Sequence, residues 1–276
     1  MSEFFFTARN FANLLTQAAP VIVIAMGLVF VLLLGEIDLS AGYASGVCGA
    51  VLVLLISNHD VSWFIALPVS IAVGALLGLL MGSLVSRVGI PSFVVTLSAF
   101  LAFQGILLLL AGEGGTIQIS NSVILAVENS NLTPTQGWAL WIILGTTFVL
   151  LGLNRIYSRR RAGLTSELFK LWLIKTVTLL LITGAAVWAL NIERGTKGVI
   201  STKGMPIVVP IILLILIAGT FVLTSTTFGR HLYAVGGNAE AARRAGINVK
   251  RVRTTAFVIC SSLAGIAGML FASRMN

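Results

Sequence analysis

Apolar residues along this chain fall in long unbroken runs, not at alternating or 3.6-residue spacing. Eight such runs stand out: Ala18–Leu34, Gly42–Ile56, Trp63–Val85, Pro91–Ala111, Trp138–Leu153, Phe169–Leu190, Ile207–Leu223 and Thr255–Ala272. A membrane span needs roughly 20 mainly apolar residues, so the second and fifth runs are the short ones. In hydrocarbon every backbone N–H and C=O must be paired internally, so the runs predict helices. The expected fold is all-α, a polytopic transmembrane helical bundle of about eight spans, with residues 1–276 as one membrane domain.

Composition agrees. The chain is 57% hydrophobic and 10% charged, with a mean hydropathy of +1.02, whereas soluble domains carry about 25% charged residues. The net charge of +9 would suit nucleic acid, but its placement argues against that partner. Lys and Arg gather in a few loops between apolar runs, the pattern of topology determinants. One set of loops holds Arg87, Arg155, Arg159, Arg160, Arg161, Lys170, Lys175, Arg230, Arg243, Arg244, Lys250, Arg251 and Arg253. The opposite set holds Arg9, Arg194, Lys197, Lys203 and Arg274. The richer set is expected to face the cytoplasm. The loop Gly112–Gln136 and both termini then face outward. Residues 1–17 lack the charged-then-apolar form of a signal peptide. An outward N-terminus without a signal, and a chain stopping straight after a span, suggest a fragment.

Cys48 and Cys260 lie inside apolar runs and are expected to be small buried hydrophobes. His59 and His231 fall in loops. No group has metal-ligand spacing, so neither a metal nor a catalytic residue is expected. The run Asn154–Glu167 carries three consecutive arginines that suit anionic lipid headgroups. Glycines at four-residue spacing, Gly42/Gly46 and Gly74/Gly78/Gly82, are expected to let helices approach closely. Thr96, Ser98 and Gln104 are the clearest polar residues in a span, and Gln104 is a candidate for a polar path.

Two interruptions carry the candidate chemistry. The first, Gly35-Glu36-Ile37-Asp38-Leu39-Ser40-Ala41-Gly42, breaks an otherwise continuous apolar stretch. Carboxylates at the hydrocarbon edge are costly unless they meet water or a partner. Gly35 and Gly42 free the backbone to break, and Asp38 or Ser40 can cap the next helix. Such a break is either a capped turn at the interface or a half-helix start whose N–H groups meet a hydroxylated solute.

The second is Phe228–Arg253, a predicted cytoplasmic loop. After a Gly236–Gly237 turn, Asn238 suits an N-cap, Ala239–Ala245 are mostly strong helix formers, and Gly246 suits the left-handed end of a helix. Glu240 sits early and Arg243–Arg244 late, as the helix dipole prefers. Two turns are too few to stand alone in water. The element therefore lies either on the inner leaflet or in a groove of another protein.

The residues of both segments resemble one family. Glu240-Ala241-Ala242, then three residues and Gly246, is similar to the EAA–x3–G loop of ABC importer permeases. The longer string Gly229-Arg230, Tyr233-Ala234, Gly236-Gly237-Asn238, Ala241-Ala242 and Gly246-Ile247-Asn248-Val249 resembles the ribose/xylose/arabinose-type sugar permeases. Gly35–Gly42 resembles that family's GIDLSVG signature, with Glu36 and Ala41 where Gly and Val are usual. The extra spans within residues 112–200 resemble the longer, xylose-type members.

The resemblance implies a type II ABC-importer-like permease in the bacterial inner membrane, carrying a pentose such as xylose or ribose. It implies an ATPase-coupling set of Gly229, Arg230, Gly236, Gly237, Asn238, Glu240, Ala241, Ala242, Gly246 and Ile247. It also implies a translocation-path set of Gly35, Glu36, Asp38, Ser40, Gly42, Thr96 and Gln104. The implied partners are a cytoplasmic ABC ATPase, a periplasmic sugar-binding protein, a second permease subunit in a homodimer, and membrane lipid. No cofactor is implied. The chain has no G-x-x-x-x-G-K-[ST] phosphate loop, so ATP hydrolysis falls to a partner. A membrane-embedded enzyme would need an H-E-x-x-H, a G-x-S-x-G or an intramembrane His, and none is present. The alternatives are an ion-coupled secondary transporter, which calls for a titratable residue deep in a span, and a truncated, non-transporting remnant.

Overall fold

The computed structural model describes residues 7–112, 119–163, 168–195 and 202–274. Lys197 and residues 164–167 of the arginine-rich connection lie outside them. Among the described residues the chain forms α1 (Ala8–Leu32), α2 (Ala41–Ser57), α3 (Trp63–Ser83, continued by a π turn Leu84–Val88) and α4 (Ser92–Ala111). Next come α5 (Ser122–Asn129), α6 (Pro134–Arg161) and α7 (Leu168–Leu190). The last four are α8 (Val208–Ser225), α9 (Thr227–Gly237), α10 (Ala239–Arg244) and α11 (Val249–Arg274). Seven are long and apolar enough to cross a membrane, and α2, at 17 residues, is the short eighth. Every apolar run of the sequence is thus a helix.

The helices overrun the predicted spans where local chemistry extends them. The Thr7 hydroxyl accepts the Asn10 N–H at 3.2 Å and starts α1 at Ala8, well before the apolar run. Thr133 and Gln136 form a capping box: the Gln136 side chain accepts the Thr133 N–H at 2.9 Å, and Pro134 takes the first helical position. At its other end α6 continues through Arg155 to Arg161, because arginine is a good helix former and leaving the helix would free backbone groups. The expected loop from Asn154 is therefore helical as far as Arg161. Helix α5 was not anticipated either. Asn121 caps it, accepting the Val123 and Ile124 N–H groups.

The chain divides into two compact units, Met1–Leu15 with Asn131–Pro206, and Thr16–Ser130 with Ile207–Asn276. In the first, α6 packs on α7, with the Trp141 indole donating to the Thr183 hydroxyl at 2.9 Å. Arg194 donates to the Thr202 and Gly204 carbonyls, and its burial lowers its pKa.

The second unit is organised around α11, the most buried of the candidate spans. Here α3 runs antiparallel to it at backbone contact. A Cβ on Gly74 would meet the Ser261 carbonyl, one on Gly78 the Phe257 carbonyl, and one on Gly82 the Thr254 Cα. The Gly74/Gly78/Gly82 spacing thus becomes a helix–helix seam, whereas Gly42, expected to act in the same way, is exposed with nothing within 4 Å of its Cβ position. Two hydroxyls, Ser86 and Thr254, pair at 2.7 Å and hold the π turn to the first part of α11.

Candidate functional site

Helix α1 ends in a Schellman motif. The Gly35 N–H bonds the Leu32 carbonyl at 2.9 Å and the Glu36 N–H the Val31 carbonyl at 3.3 Å, with Gly35 at φ +72°. Residues 36–40 then cross to α2 as an irregular strap tied on two sides. On one side its backbone is tied to α4: the Ile37 N–H donates to Ser92 Oγ, and the Thr96 hydroxyl shares its hydrogen between the Ile37 and Ser92 carbonyls. On the other, Glu36 Oε1 lies 3.2 Å from Arg253 Nε, and the Cys260 thiol approaches Asp38 Oδ2 at 3.6 Å, both on α11.

Asp38 is buried and its carboxylate is filled from within. Oδ1 accepts the Ser40 N–H at 2.9 Å and the Ser40 hydroxyl at 2.6 Å. The short carboxylate contact takes the single hydroxyl hydrogen, so the approach of Ser40 Oγ to Met81 Sδ is packing. Neither Asp38 nor Ser40 caps α2 with its side chain, which corrects that expectation. Ser40 sits at φ −86°, ψ −15°, already near-helical, so its hydroxyl turns back to Asp38. Of the predicted path residues, Asp38, Ser40 and Thr96 are fasteners buried between helices. Gly42 is exposed in the first turn of α2, and half-buried Gln104 sits about 12 Å farther along α4 than Thr96.

The second element begins at Thr226. Its hydroxyl accepts the Gly229 N–H at 3.1 Å and starts α9. The sequence led to a loop ending in a Gly236–Gly237 turn; instead these glycines are the last residues of α9. Glycine disfavours a helix interior by about 1 kcal/mol relative to alanine. At Gly236 it is required, because a Cβ would overlap the Leu33 carbonyl at the end of α1. Asn238, at φ −157°, ψ 104°, closes α9 and caps α10, its side chain accepting the Ala241 N–H at 2.9 Å. Gly246, at φ +84°, ends the element with a second Schellman motif, Gly246 N–H to Arg243 O and Ile247 N–H to Ala242 O, both at 3.0 Å. Asn248 then accepts the Arg251 N–H at 3.0 Å and starts α11.

Helix α10 therefore sits on a fixed base. Ala242 is buried with Phe30, Leu34, Leu232, Val235 and Val249, and Ile247 packs against them. Glu240, Ala241, Arg243, Arg244 and Ala245 face outward, with Glu240 3.4 Å from both arginines. Such exposed pairs add little stability. The predicted coupling residues thus divide. Arg230, Gly237, Asn238, Glu240 and Ala241 are on the surface. Ala242, Gly229 and Gly236 work inward, as Gly229 packs on the Val222 and Leu223 carbonyls.

Sequence reasoning missed Arg253 as a site residue, having counted it only as a topology cation. It also missed Cys260, Met81 and Leu33. None carries a local signal, since each meets its partner only through tertiary packing. Among the described residues no group of His, Cys, Asp and Glu is arranged to hold a metal ion.

Residues 10–276 match the family described as branched-chain amino acid transport system / permease component. The chain is 35% identical over 276 residues to the xylose transport system permease protein XylH of Escherichia coli K12, spanning 99% of this chain and 67% of that protein. To XylH of Haemophilus influenzae it is 34% identical, over 99% and 70% of the two chains. To the ribose import permease protein RbsC of Haemophilus influenzae it is 24% identical, over 99% and 63%. No solved structure matches it.

Proposed function

The chain belongs to the branched-chain amino acid transport system / permease component family, and from that premise we propose that it forms the membrane path of a pentose importer, with xylose the first candidate. It is a multi-pass inner-membrane transport subunit and not an enzyme, and a separate ATP-binding-cassette subunit hydrolyses ATP. The preference for xylose rests on the 35% identity to a xylose permease against 24% to a ribose permease.

The observation that carries the mechanism is α10. A helix of six residues has no stability of its own in water. Here caps at both ends and one inward alanine hold it on the ends of α1 and α9. Its outward face offers Ala241 and Ala245, one turn apart, between Glu240 and Arg244. Small side chains admit a close-fitting groove and the charges grip its rim. This supports Asn238–Gly246 as the segment that docks on the cytoplasmic ATPase, with residues 228–253 as the coupling region. Because α10 is fixed to α1 and α11, a push on it is delivered to the bundle and shifts the balance of outward- and inward-open states. In this reading the strap Gly35–Gly42 borders the path, a binding protein delivers the sugar outside, and a second copy completes the pathway. Arg155, Arg159 and Arg161 at the end of α6 meet lipid headgroups.

The test is ATP-dependent uptake of labelled xylose by cells carrying the complete importer. Glu240→Lys reverses the rim charge. Gly246→Val places a β-branched residue at φ +84°, a strain of roughly 1–3 kcal/mol. Both are expected to abolish uptake at normal membrane levels. Full uptake in both variants rejects the docking role. Loss of wild-type uptake to an uncoupler with ATP maintained rejects the ATP-driven class.

A further inference from the structure

The strap and the coupling region are one mechanical object. Glu36 and Asp38 are two residues apart in non-helical chain and both reach α11. They meet it at Arg253 and Cys260, seven residues apart and so two turns along one helix face. Ile37, between them, is held by its backbone to α4. The coupling region reaches the same strap twice. Before it, Gly236 of α9 rests on the Leu33 carbonyl in the last turn of α1. After it, Arg253 stands in the second turn of α11, just beyond the Gly246–Asn248 corner that joins α10 to α11.

These attachments differ in character. Asp38 is buried, its Oδ1 taking both Ser40 donors and its Oδ2 facing the Cys260 thiol. Glu36 and Arg253 keep 14% and 31% side-chain exposure, and the Arg253 N–H is close to Oε1 without being aligned on it. A partly wet ion pair with one contact can be made and released during a cycle, whereas the buried Asp38 carboxylate keeps its two Ser40 donors within the strap and meets α11 only through the Cys260 thiol.

Building on the docking role of α10, we propose that Glu36 and Arg253 are a positioning pair that makes the Gly35–Ser40 strap follow the coupling region, so that each ATPase stroke is felt at the strap. Both residues lie outside the docking segment Asn238–Gly246, Glu36 in the strap and Arg253 in α11, so the pair sets how much transport each hydrolysed ATP yields and not whether ATP is hydrolysed.

The experiment uses the complete importer in proteoliposomes, with xylose uptake and phosphate release measured on the same sample. Glu36→Gln and Arg253→Gln are expected to leave phosphate release near wild type while uptake per ATP falls about fivefold, the range of a partly exposed ion pair. The exchange Glu36→Arg with Arg253→Glu is expected to restore the ratio to within about twofold. Arg253→Lys, which keeps the charge, is expected to retain it. An unchanged ratio in either Gln variant overturns the proposal. So does a fallen ratio that the exchange fails to restore, or uptake and phosphate release falling together in all variants, which marks a purely structural pair. Failure of the docking reading shows separately, as wild-type permease that neither retains the ATPase on purification nor stimulates it.

Discussion

The seam between α3 and α11 sets a sharp test of how this bundle is held. In Gly82→Ala the added methyl would lie 2.9 Å from Thr254 Cα and 3.1 Å from Phe257 Cβ. Carbon atoms rest at roughly 3.5–4.0 Å. Backbone on both sides gives way only if the helices part, by about 0.5–1 Å, and a gap of that size forfeits a quarter to a half of each dispersion well along the seam. It also stretches the Thr254 hydroxyl contact to the Gly82 carbonyl, already 3.3 Å. Overpacking of this kind costs roughly 1–3 kcal/mol. For a chain of this size, at about 2–4 °C per kcal/mol, that is a fall in melting temperature of about 2–12 °C, followed by fluorescence-detected thermal unfolding in detergent. The control is Gly42→Ala. That position is helical and exposed, with nothing within 4 Å of a new Cβ, so the substitution gains helix propensity and leaves the melting temperature level or slightly higher. A Gly82→Ala protein as stable as the Gly42→Ala protein would refute backbone-contact packing on this face.

Two further outcomes are expected. Glu128, buried in α5 beside Ser273, has both carboxylate oxygens unpartnered, and burial pushes its pKa up to about 7 against the opposing pull of Arg274. A carboxyl whose folded pKa is raised is most compatible with the fold when protonated. Stability is therefore full below about pH 4.5 and declines as pH rises towards 7. Thermal melts of wild type should lose stability over that interval and melts of Glu128→Gln should not; parallel curves would dismiss the assignment. In α10, maleimide should modify Ala241→Cys quickly and Ala242→Cys slowly, and only once the membrane is permeabilised. The native thiols, Cys48 and Cys260, are buried and give little background. Equal rates at the two positions, or labelling of intact cells, would contradict the geometry or the orientation.

Much of this was legible in the chain because it is decided locally. Lipid leaves a long apolar run no backbone solution but a helix, so each of the eight runs became one. The Asn238 cap and the left-handed Gly246 that bound α10 depend on residues a few positions apart. The same locality could have found α5, since Asn121 before Val123 and Ile124 is an N-cap followed by apolar residues, and α9, where Thr226 caps Gly229. Neither element shows in the pattern of apolar runs, which marks spans and not caps.

Tertiary structure alone decided what those elements hold. Nothing near Asp38 in sequence announces that a thiol 222 residues away approaches it, or that Glu36 finds Arg253 and not water. Nor does the sequence reveal that Gly236 is needed for a carbonyl of α1 and not for a turn. Such contacts depend on the depth and angle at which α11 settles between α2 and α3, which the summed packing of many small residues fixes. A sequence pattern states which face of a helix is apolar or small. Which atom stands opposite is settled only when the partner helix arrives.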